Sequence, residues 1–496
     1  MDPATTVDTP KPKRNLKPIW IALAFAVMIV IVLLPTPDDL PVMGQRALAI
    51  LAFAVILWVT EAVSYPVSAA MIIGLVALLI GFAPDMANPD TLVGTKGALK
   101  MALGGFSNSA VALVAAALFL AAAMQATNLH KRVALYILSK VGVKTGAIVF
   151  GAILVSIILA FFVPSATARA GAVVPILLGM VAAFGLQPNS RLGALLVITA
   201  VQSVSIWNVG IKTGAAQNMV ALGFMEEEFG VSVAWSSWFL YAAPWSIIMS
   251  FVLYFVMIKL IKPETHVVEG GKELIEGQLK ELGPMKPSEI RLIVVSLALL
   301  FLWATEEKLH PLDTTTVTLV AIAILLLPKI GVFDWKTVER LIPWGTIIVF
   351  AVGIALGTIL LDTNGAQWLS NKVFGAMGLE NMPLLATIAL LSAFNILIHL
   401  GFASATSLSS ALIPIFIALT TTIAIDANSV GFVLIQQFVI SFGFLLPVSA
   451  PQNMLAYGTG AFTVKDFLKS GIPLTVIGYL LILLFSVTYW KWIGLL

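Results

Sequence analysis

The chain has 496 residues, of which 59% are hydrophobic and 11% charged, with a mean hydropathy of +1.02. Soluble domains carry about 25% charged residues, so a water-soluble globule is excluded and a chain living in lipid is implied. A net charge of +3 gives no reason to expect nucleic acid, and the absence of cysteine removes disulfides, thiolate metal sites and thiol chemistry.

In chain order, Lys11, Lys13, Arg14 and Lys17 precede the first apolar run and place the N-terminus in the cytoplasm, where positive charge is retained. No cleavable signal pattern stands there. Spans are predicted over residues 19–35, 44–61, 64–82 and 108–127, with 92–106 too polar to cross and expected along the interface. A basic cytoplasmic connector follows, carrying His130, Lys131, Arg132, Lys140 and Lys144. Alternating segments of period two are missing, which favours a helical bundle over a β-barrel.

Residues 145–185 form two apolar arms, each shorter than the ~20 residues of a span, that meet at Ser165-Ala166-Thr167. This pattern suits a re-entrant hairpin. A broken helix over 190–226 comes next, interrupted at Asn208-Val209-Gly210-Ile211-Lys212-Thr213-Gly214. Two glycines and a lysine inside apolar sequence argue for unwound backbone, tolerated at membrane depth only where it lines a polar cavity. A span at 236–261 returns the chain to a charged, proline-containing linker at 262–288.

The second half replays the first. Spans are expected at 289–305, 314–332 and 344–362, then a hairpin at 381–425 with its tip at Ser404-Ala405-Thr406. A broken helix at 429–458, interrupted around Pro447 to Pro451, and a last span near 470–494 complete it. In both halves Ser-Ala-Thr is followed at equal spacing by an alanine (Ala172, Ala411) and by Pro-Ile (Pro175, Pro414). Gln217-Asn218-Met219 and Gln452-Asn453-Met454 then recur in the same order. Polar strings repeated in register within apolar sequence are the mark of a carrier with two related halves and its site where they meet. The domain organisation is thus a tail and first span (1–43), a first repeat (44–261), the linker (262–288) and a second repeat (289–496). An odd number of crossings per half inverts the second repeat and puts the C-terminus outside. Most lysines and arginines then fall in cytoplasmic segments, as the positive-inside rule requires.

With these strings the chain resembles the divalent anion/sodium symporter family, over nearly everything from residue 44 onward. That family's hallmarks are paired tip motifs, usually Ser-Asn-Thr, each followed by a broken helix ending in a Gln-Asn string. Ser165-Ala166-Thr167, Ser404-Ala405-Thr406, Gln217-Asn218 and Gln452-Asn453 stand in those places. The tip Ser-Ala-Thr-Ala-Arg with its Pro-Ile is most similar to the exchanger branch of citrate/succinate, tartrate/succinate and 2-oxoglutarate/malate carriers. The resemblance implies an all-α polytopic fold of about eleven spans plus two re-entrant hairpins. It also implies a homodimer, and a scaffold domain past which a transport domain moves like an elevator. The expected membrane is a bacterial inner membrane.

A hairpin tip begins a helix, and a helix start offers unpaired N–H groups and the positive end of a dipole. Ser165, Ala166, Thr167, Ser404, Ala405 and Thr406 are therefore the expected grip on the two ends of a C4–C5 dicarboxylate, the tip hydroxyls donating. The competing reading is that those hydroxyls bond only to their own helices. Arg169 opens a helix, where a cation opposes the dipole, so it is expected to bind a carboxylate. Lys212 in the first break and His399 before the second tip are expected to stand in for coupling cations. Asn208, Thr213, Gln217, Asn218, Ser449, Gln452 and Asn453 form a second tier at the breaks. His130, His266 and His310 are read as loop residues.

In the family's sodium-coupled pattern the tip asparagines help surround Na⁺, a hard cation needing an oxygen cage. Here both are alanines, Ala166 and Ala405. The expectation is Na⁺-independent exchange, with Na⁺- or H⁺-coupled symport as the alternative. No metal or cofactor is expected. An intramembrane hydrolase has little to stand on: Gly105-Phe106-Ser107 is a short match, and neither His-Glu-x-x-His nor paired intramembrane aspartates occur. Two distinct tips also suit alternating access better than an open channel.

Overall fold

The computed structural model describes residues 16–265, 267, 270–379, 382–422 and 428–496. Expectations resting on Lys11, Lys13, Arg14, His266 and positions 381 and 423–425 lie outside the described residues. The described chain is helical, without strands, and is built from α1 (Lys17–Leu33), α2 (Val42–Thr60), α3 (Tyr65–Leu75), α4 (Thr95–Gly104), α5 (Ser109–Thr127) and α6 (Leu129–Lys140). Then come α7 (Thr145–Phe162), α8 (Ala166–Ala183), α9 (Arg191–Gly210), α10 (Ala216–Phe229), α11 (Trp235–Leu260) and α12 (Gly271–Glu281). The second half holds α13 (Pro287–Thr305), α14 (Thr314–Leu326), α15 (Trp335–Glu339), α16 (Trp344–Asp362), α17 (Gly365–Gly375) and α18 (Leu384–His399). It ends with α19 (Ala405–Thr422), α20 (Ser429–Ile440), α21 (Pro451–Tyr457), α22 (Val464–Val487) and α23 (Tyr489–Trp492).

Among the described residues nine helices are long and apolar enough to cross a membrane. They include both arms of the first hairpin, 18 residues each, so length alone does not set those arms apart from spans. Residues 95–104 make a separate short helix that is not among the nine. The expected span at 314–332 stops at Leu326, two residues before Pro328, which disfavours helical backbone in the residue ahead of it. Several short helices were not anticipated, among them α15, α17 and two in charged sequence. Residues 129–140 and 271–281 read as charged connector and linker. Some of their apolar residues nevertheless pack inward: Ala134, Leu135 and Leu138 share a buried face of α6, Leu129 is buried at its start, and Ile275 is buried in α12. Arg132 of α6 ties this end together through Glu289 (2.8 Å) and the carbonyls of Gly283 and Leu282.

The repeated strings build the same backbone twice. In the first half α9 ends at Gly210, a single 3₁₀ turn occupies Lys212–Gly214, and Ala215 is extended (φ −151°, ψ 143°) before α10 begins. In the second half the 3₁₀ turn is Pro447–Ser449 and Ala450 is extended (φ −155°, ψ 141°) before α21. An asparagine amide pegs each break: Asn218 Nδ2 donates to the Asn208 carbonyl (2.7 Å), and Asn453 Nδ2 to that of Gly443 (2.8 Å). Each peg spans ten residues, and each fills a carbonyl that the interrupted helix leaves without its usual donor.

Packing between the halves is reciprocal. α9 lies against both arms of its own hairpin, α7 and α8, as α20 lies against α18 and α19. The helix after each break crosses to the other half's tip helix: α10 packs on α19, and α21 on α8. Close approach has local requirements. A Cβ on Gly471 would stand 2.1 Å from the Phe444 carbonyl, the same carbonyl that accepts from Gln202 Nε2 at 3.0 Å. Only glycine lets α22 seat there.

Candidate binding cavity

A cavity of about 810 Å³ lies where the halves meet, and both Ser-Ala-Thr tips line it. Ser165, Ala166 and Thr167 enter from the start of α8, and Ser404, Ala405 and Thr406 from the start of α19. The starts of α10 and α21 also face it, through Ala216 with Gln217 and Pro451 with Gln452. The sequence explains why these helix ends stay open. The N-caps of α10 and α21 are Ala215 and Ala450, which offer no capping side chain. Pro451 has no N–H of its own, so the seven-residue α21 adds little; α8, α10 and α19 supply the donors. Ser165 Oγ accepts from Ala168 N at 3.3 Å and Ser404 Oγ from Ser407 N at 3.4 Å. These caps use the oxygen as acceptor and leave each hydroxyl proton to donate elsewhere.

Among the described residues the lining contains no Asp, Glu, Lys or Arg; its ionisable members are Tyr65, His130 and His399. The positive character of the space therefore comes from helix dipoles and N–H groups, reinforced by hydroxyls and amides. No group of three or more His, Asp or Glu able to hold a metal ion occurs among the described residues.

Of the expected cations, the structure brings one to the cavity. His399 lines it, with Nε2 3.1 Å from the Ser449 carbonyl. Arg169 does not: it is fully buried behind the tip, and its Nη2 donates to Asn208 Oδ1 (2.5 Å) and to the Gly214 carbonyl (2.7 Å). The expected direct grip on a carboxylate is corrected to a contact with the break, because unwound backbone leaves acceptors that need a donor more than solvent does. Lys212 faces the opposite way. Its Nζ donates to the Val233 carbonyl at 2.7 Å, beside a separate space of about 80 Å³ lined by Glu226, Glu306 and Asp313. Carboxylates and a carbonyl on that side draw the ammonium away from the tips.

The second tier divides as well. Asn208, Gln217 and Gln452 line the cavity. Gln217 Nε2 reaches Ser441 Oγ (3.3 Å) and Gln452 Nε2 reaches Ser205 Oγ (3.1 Å), each bridging to the other half. Thr213 is turned to Trp235 Nε1 (3.3 Å), Asn218 and Asn453 serve as pegs, and Ser449 offers its carbonyl to His399. Sequence reasoning missed the facing wall, made by Tyr65, Gln125, Asn128, His130 and Thr346. His130, read as a loop residue, sits on α6 with Nδ1 2.7 Å from the Met124 carbonyl. Burial pushes its imidazole below the usual histidine range, and Lys131 adds to this. No repeat marks these residues; polar Gln125 and Asn128 at the end of an apolar span were the one available signal.

A family model described as the sodium:sulfate symporter transmembrane region matches residues 16–496. The chain belongs to the divalent anion/sodium symporter family. Within that family it is 52% identical to a protein of Cupriavidus necator named only as a membrane protein, over 98% of this chain and 94% of that one. It is 28% identical to the citrate/succinate antiporter of Escherichia coli K12, covering 94% of this chain and 96% of the antiporter. It is 25% identical to the sodium-dependent dicarboxylate transporter SdcS of Staphylococcus saprophyticus, covering 94% and 90%. Among solved structures it shares its fold with the Alcanivorax borkumensis YdaH transporter, at a TM-score of 0.57 and 13% identity, covering 87% of this chain and 98% of that one. As a family member the protein is a membrane transporter and not an enzyme.

Proposed function

We propose that the protein is a Na⁺-independent exchanger of C4–C5 dicarboxylates such as 2-oxoglutarate, malate or succinate. One observation carries this reading: two tips with open helix starts and free hydroxyl donors face the same cavity, with no acidic side chain among its described lining residues. Such a space suits a molecule with a carboxylate at each end, one for each tip. The named activity of the E. coli relative, citrate/succinate antiport, agrees with it.

The preference for exchange follows from donors that cannot leave. The helix-start N–H groups and tip hydroxyls that bind a carboxylate stay with the empty carrier, and each buried donor left unpaired costs about 1–3 kcal/mol. Each 1.4 kcal/mol slows return about tenfold. His399 meets the cargo, and Arg169 acts from behind the first tip through Asn208. Lys212 has no part in this reading. The tips and breaks travel together past the remaining helices, elevator fashion, in a homodimer of the bacterial inner membrane. With the N-terminus inside and the C-terminus outside, the α5–α6 corner at the cavity faces the cytoplasm.

Coupled symport is the competing reading, and the similarity to SdcS is what favours it. Proteoliposomes separate the two. Labelled 2-oxoglutarate or malate should enter only vesicles preloaded with dicarboxylate, with or without Na⁺. Robust uptake into empty vesicles driven by a Na⁺ gradient would overturn exchange.

A further inference from the structure

The two tips are not equal. Ser407 lines the cavity in the first turn of α19, where the first half has Ala168 at the same step past its serine. Its N–H donates to Ser404 Oγ at 3.4 Å, and both serines are buried. The repeat therefore does not account for this extra hydroxyl.

A third hydroxyl arrives from the facing wall. Tyr65 is the first residue of α3, and its phenol lines the same cavity beside the side chains of Ser404 and Ser407. The backbone around it is held closely. Pro66 follows with its φ fixed by the ring, and that ring packs on Gly345 at the start of α16. A Cβ on Gly345 would stand 2.8 Å from Pro66 Cδ, so a residue larger than glycine would push the tyrosine off its place.

Three neighbouring hydroxyls hold three protons. Among the described residues the Ser404 and Ser407 hydroxyls are not bonded to each other, so the three form at most an open chain. Such a chain uses two protons internally and leaves one to donate into the cavity, with lone pairs still able to accept. This capacity is added to the Thr406 hydroxyl and the open helix start, which already suffice for a carboxylate. The first tip has no counterpart of Ser407.

The added hydroxyls suit an oxygen one carbon away from a carboxylate. In 2-oxo and 2-hydroxy dicarboxylates the C2 oxygen stands next to the C1 carboxylate. An oxo group only accepts, and a hydroxyl both accepts and donates; rotating side-chain hydroxyls match either. Succinate presents a methylene there and leaves the same protons without a partner.

We propose that Tyr65 and Ser407 form a subsite for the C2 oxygen of the cargo. The carrier then selects 2-oxo and 2-hydroxy dicarboxylates over their unsubstituted counterparts and seats C1 at the second tip. This rests on the reading above in which the cavity holds a dicarboxylate between the tips, and it names the members of that class that fit best.

The test is exchange in proteoliposomes with two pairs of acids matched in length, malate with succinate and 2-oxoglutarate with glutarate. Within each pair the parent protein should show a KM about tenfold lower for the oxygenated acid. Tyr65→Phe keeps the ring, and Ser407→Ala copies the first half's own residue, so both changes are mild for folding. Each should bring the ratio down to about threefold or less by raising the KM of malate and 2-oxoglutarate, with succinate and glutarate within about twofold of the parent values. Equal KM values within each pair for the parent, or ratios unchanged in both variants, overturn the proposal. Variants that weaken all four acids by one common factor reveal a structural role and overturn it too. If none of the four acids exchanges in the parent, the dicarboxylate reading itself fails.

Discussion

Arg169 Nη2 donates to Asn208 Oδ1 at 2.5 Å, joining the first tip helix to the last turn of the helix it packs against. The bond occupies the amide oxygen of Asn208, a residue that lines the cavity, and so leaves the amide NH₂ as the group presented there. A buried arginine thereby turns a side chain that can accept or donate into a donor. It does this without placing its own charge in contact with the cargo.

Arg169 and Asn208 should therefore behave as one unit. Asn208→Leu and Arg169→Lys should each raise the KM of exchange about tenfold, since a lysine keeps the charge but not the planar group whose Nη2 donates to both Asn208 and Gly214. The double variant should be no worse than the more severe single one. Double-mutant analysis in proteoliposomes measures this; additive losses would show that the two residues act separately.

The tip hydroxyls are expected to donate to carboxylates. Thr167→Val and Thr406→Val keep the shape and remove the donor, and a hydrogen bond to a charged group is worth about 1.5–3 kcal/mol. Dicarboxylate affinity should fall about tenfold to a hundredfold for each. Calorimetry on detergent-solubilised protein reads it directly, and unchanged affinity in both variants would remove the tips from the site.

Lys212 supplies the opposite control. Its ammonium lies against Val233 O beside Glu226, Glu306 and Asp313. Lys212→Met should leave dicarboxylate affinity within about twofold of the parent value, as for independent sites. A tenfold loss would mean that the lysine reaches the cargo after all.

His130 predicts a pH effect on stability. Its folded pKa lies below the ordinary 6.5 because burial disfavours the charged ring. Above that value both states are neutral and the group is silent. As pH falls below it the unfolded chain takes the proton first, so stability is lost with acidification. His130→Asn keeps a donor for the Met124 carbonyl and does not titrate. The drop in melting temperature between about pH 7.5 and 5.5 should be smaller in this variant than in the parent; an equal drop would contradict the assignment.

Much of this protein was legible along the chain. Apolar run lengths located most helices to within a few residues, and the recurring Ser-Ala-Thr and Gln-Asn strings marked the tips and breaks that surround the cavity. These signals are local: a repeat in register needs only sequence to be seen. Charged α6 and α12 were passed over as connector and linker because net polarity hid a narrow apolar face.

Direction was not legible. Arg169, Lys212 and His399 all looked like cations beside a cleft, yet one turns to a break, one to a carbonyl on the far side, and one to the cavity. Where a side chain points after a helix is interrupted depends on which acceptors packing brings near it, and those belong to other elements. The same holds for the facing wall, since Tyr65, Asn128 and Thr346 come together only when distant segments pack. The amino-acid sequence alone determined a two-halved helical membrane protein and the strings at its centre. Tertiary structure alone decided which polar groups face the cargo, because each buried donor goes to the nearest unmatched acceptor and only the folded chain defines nearness.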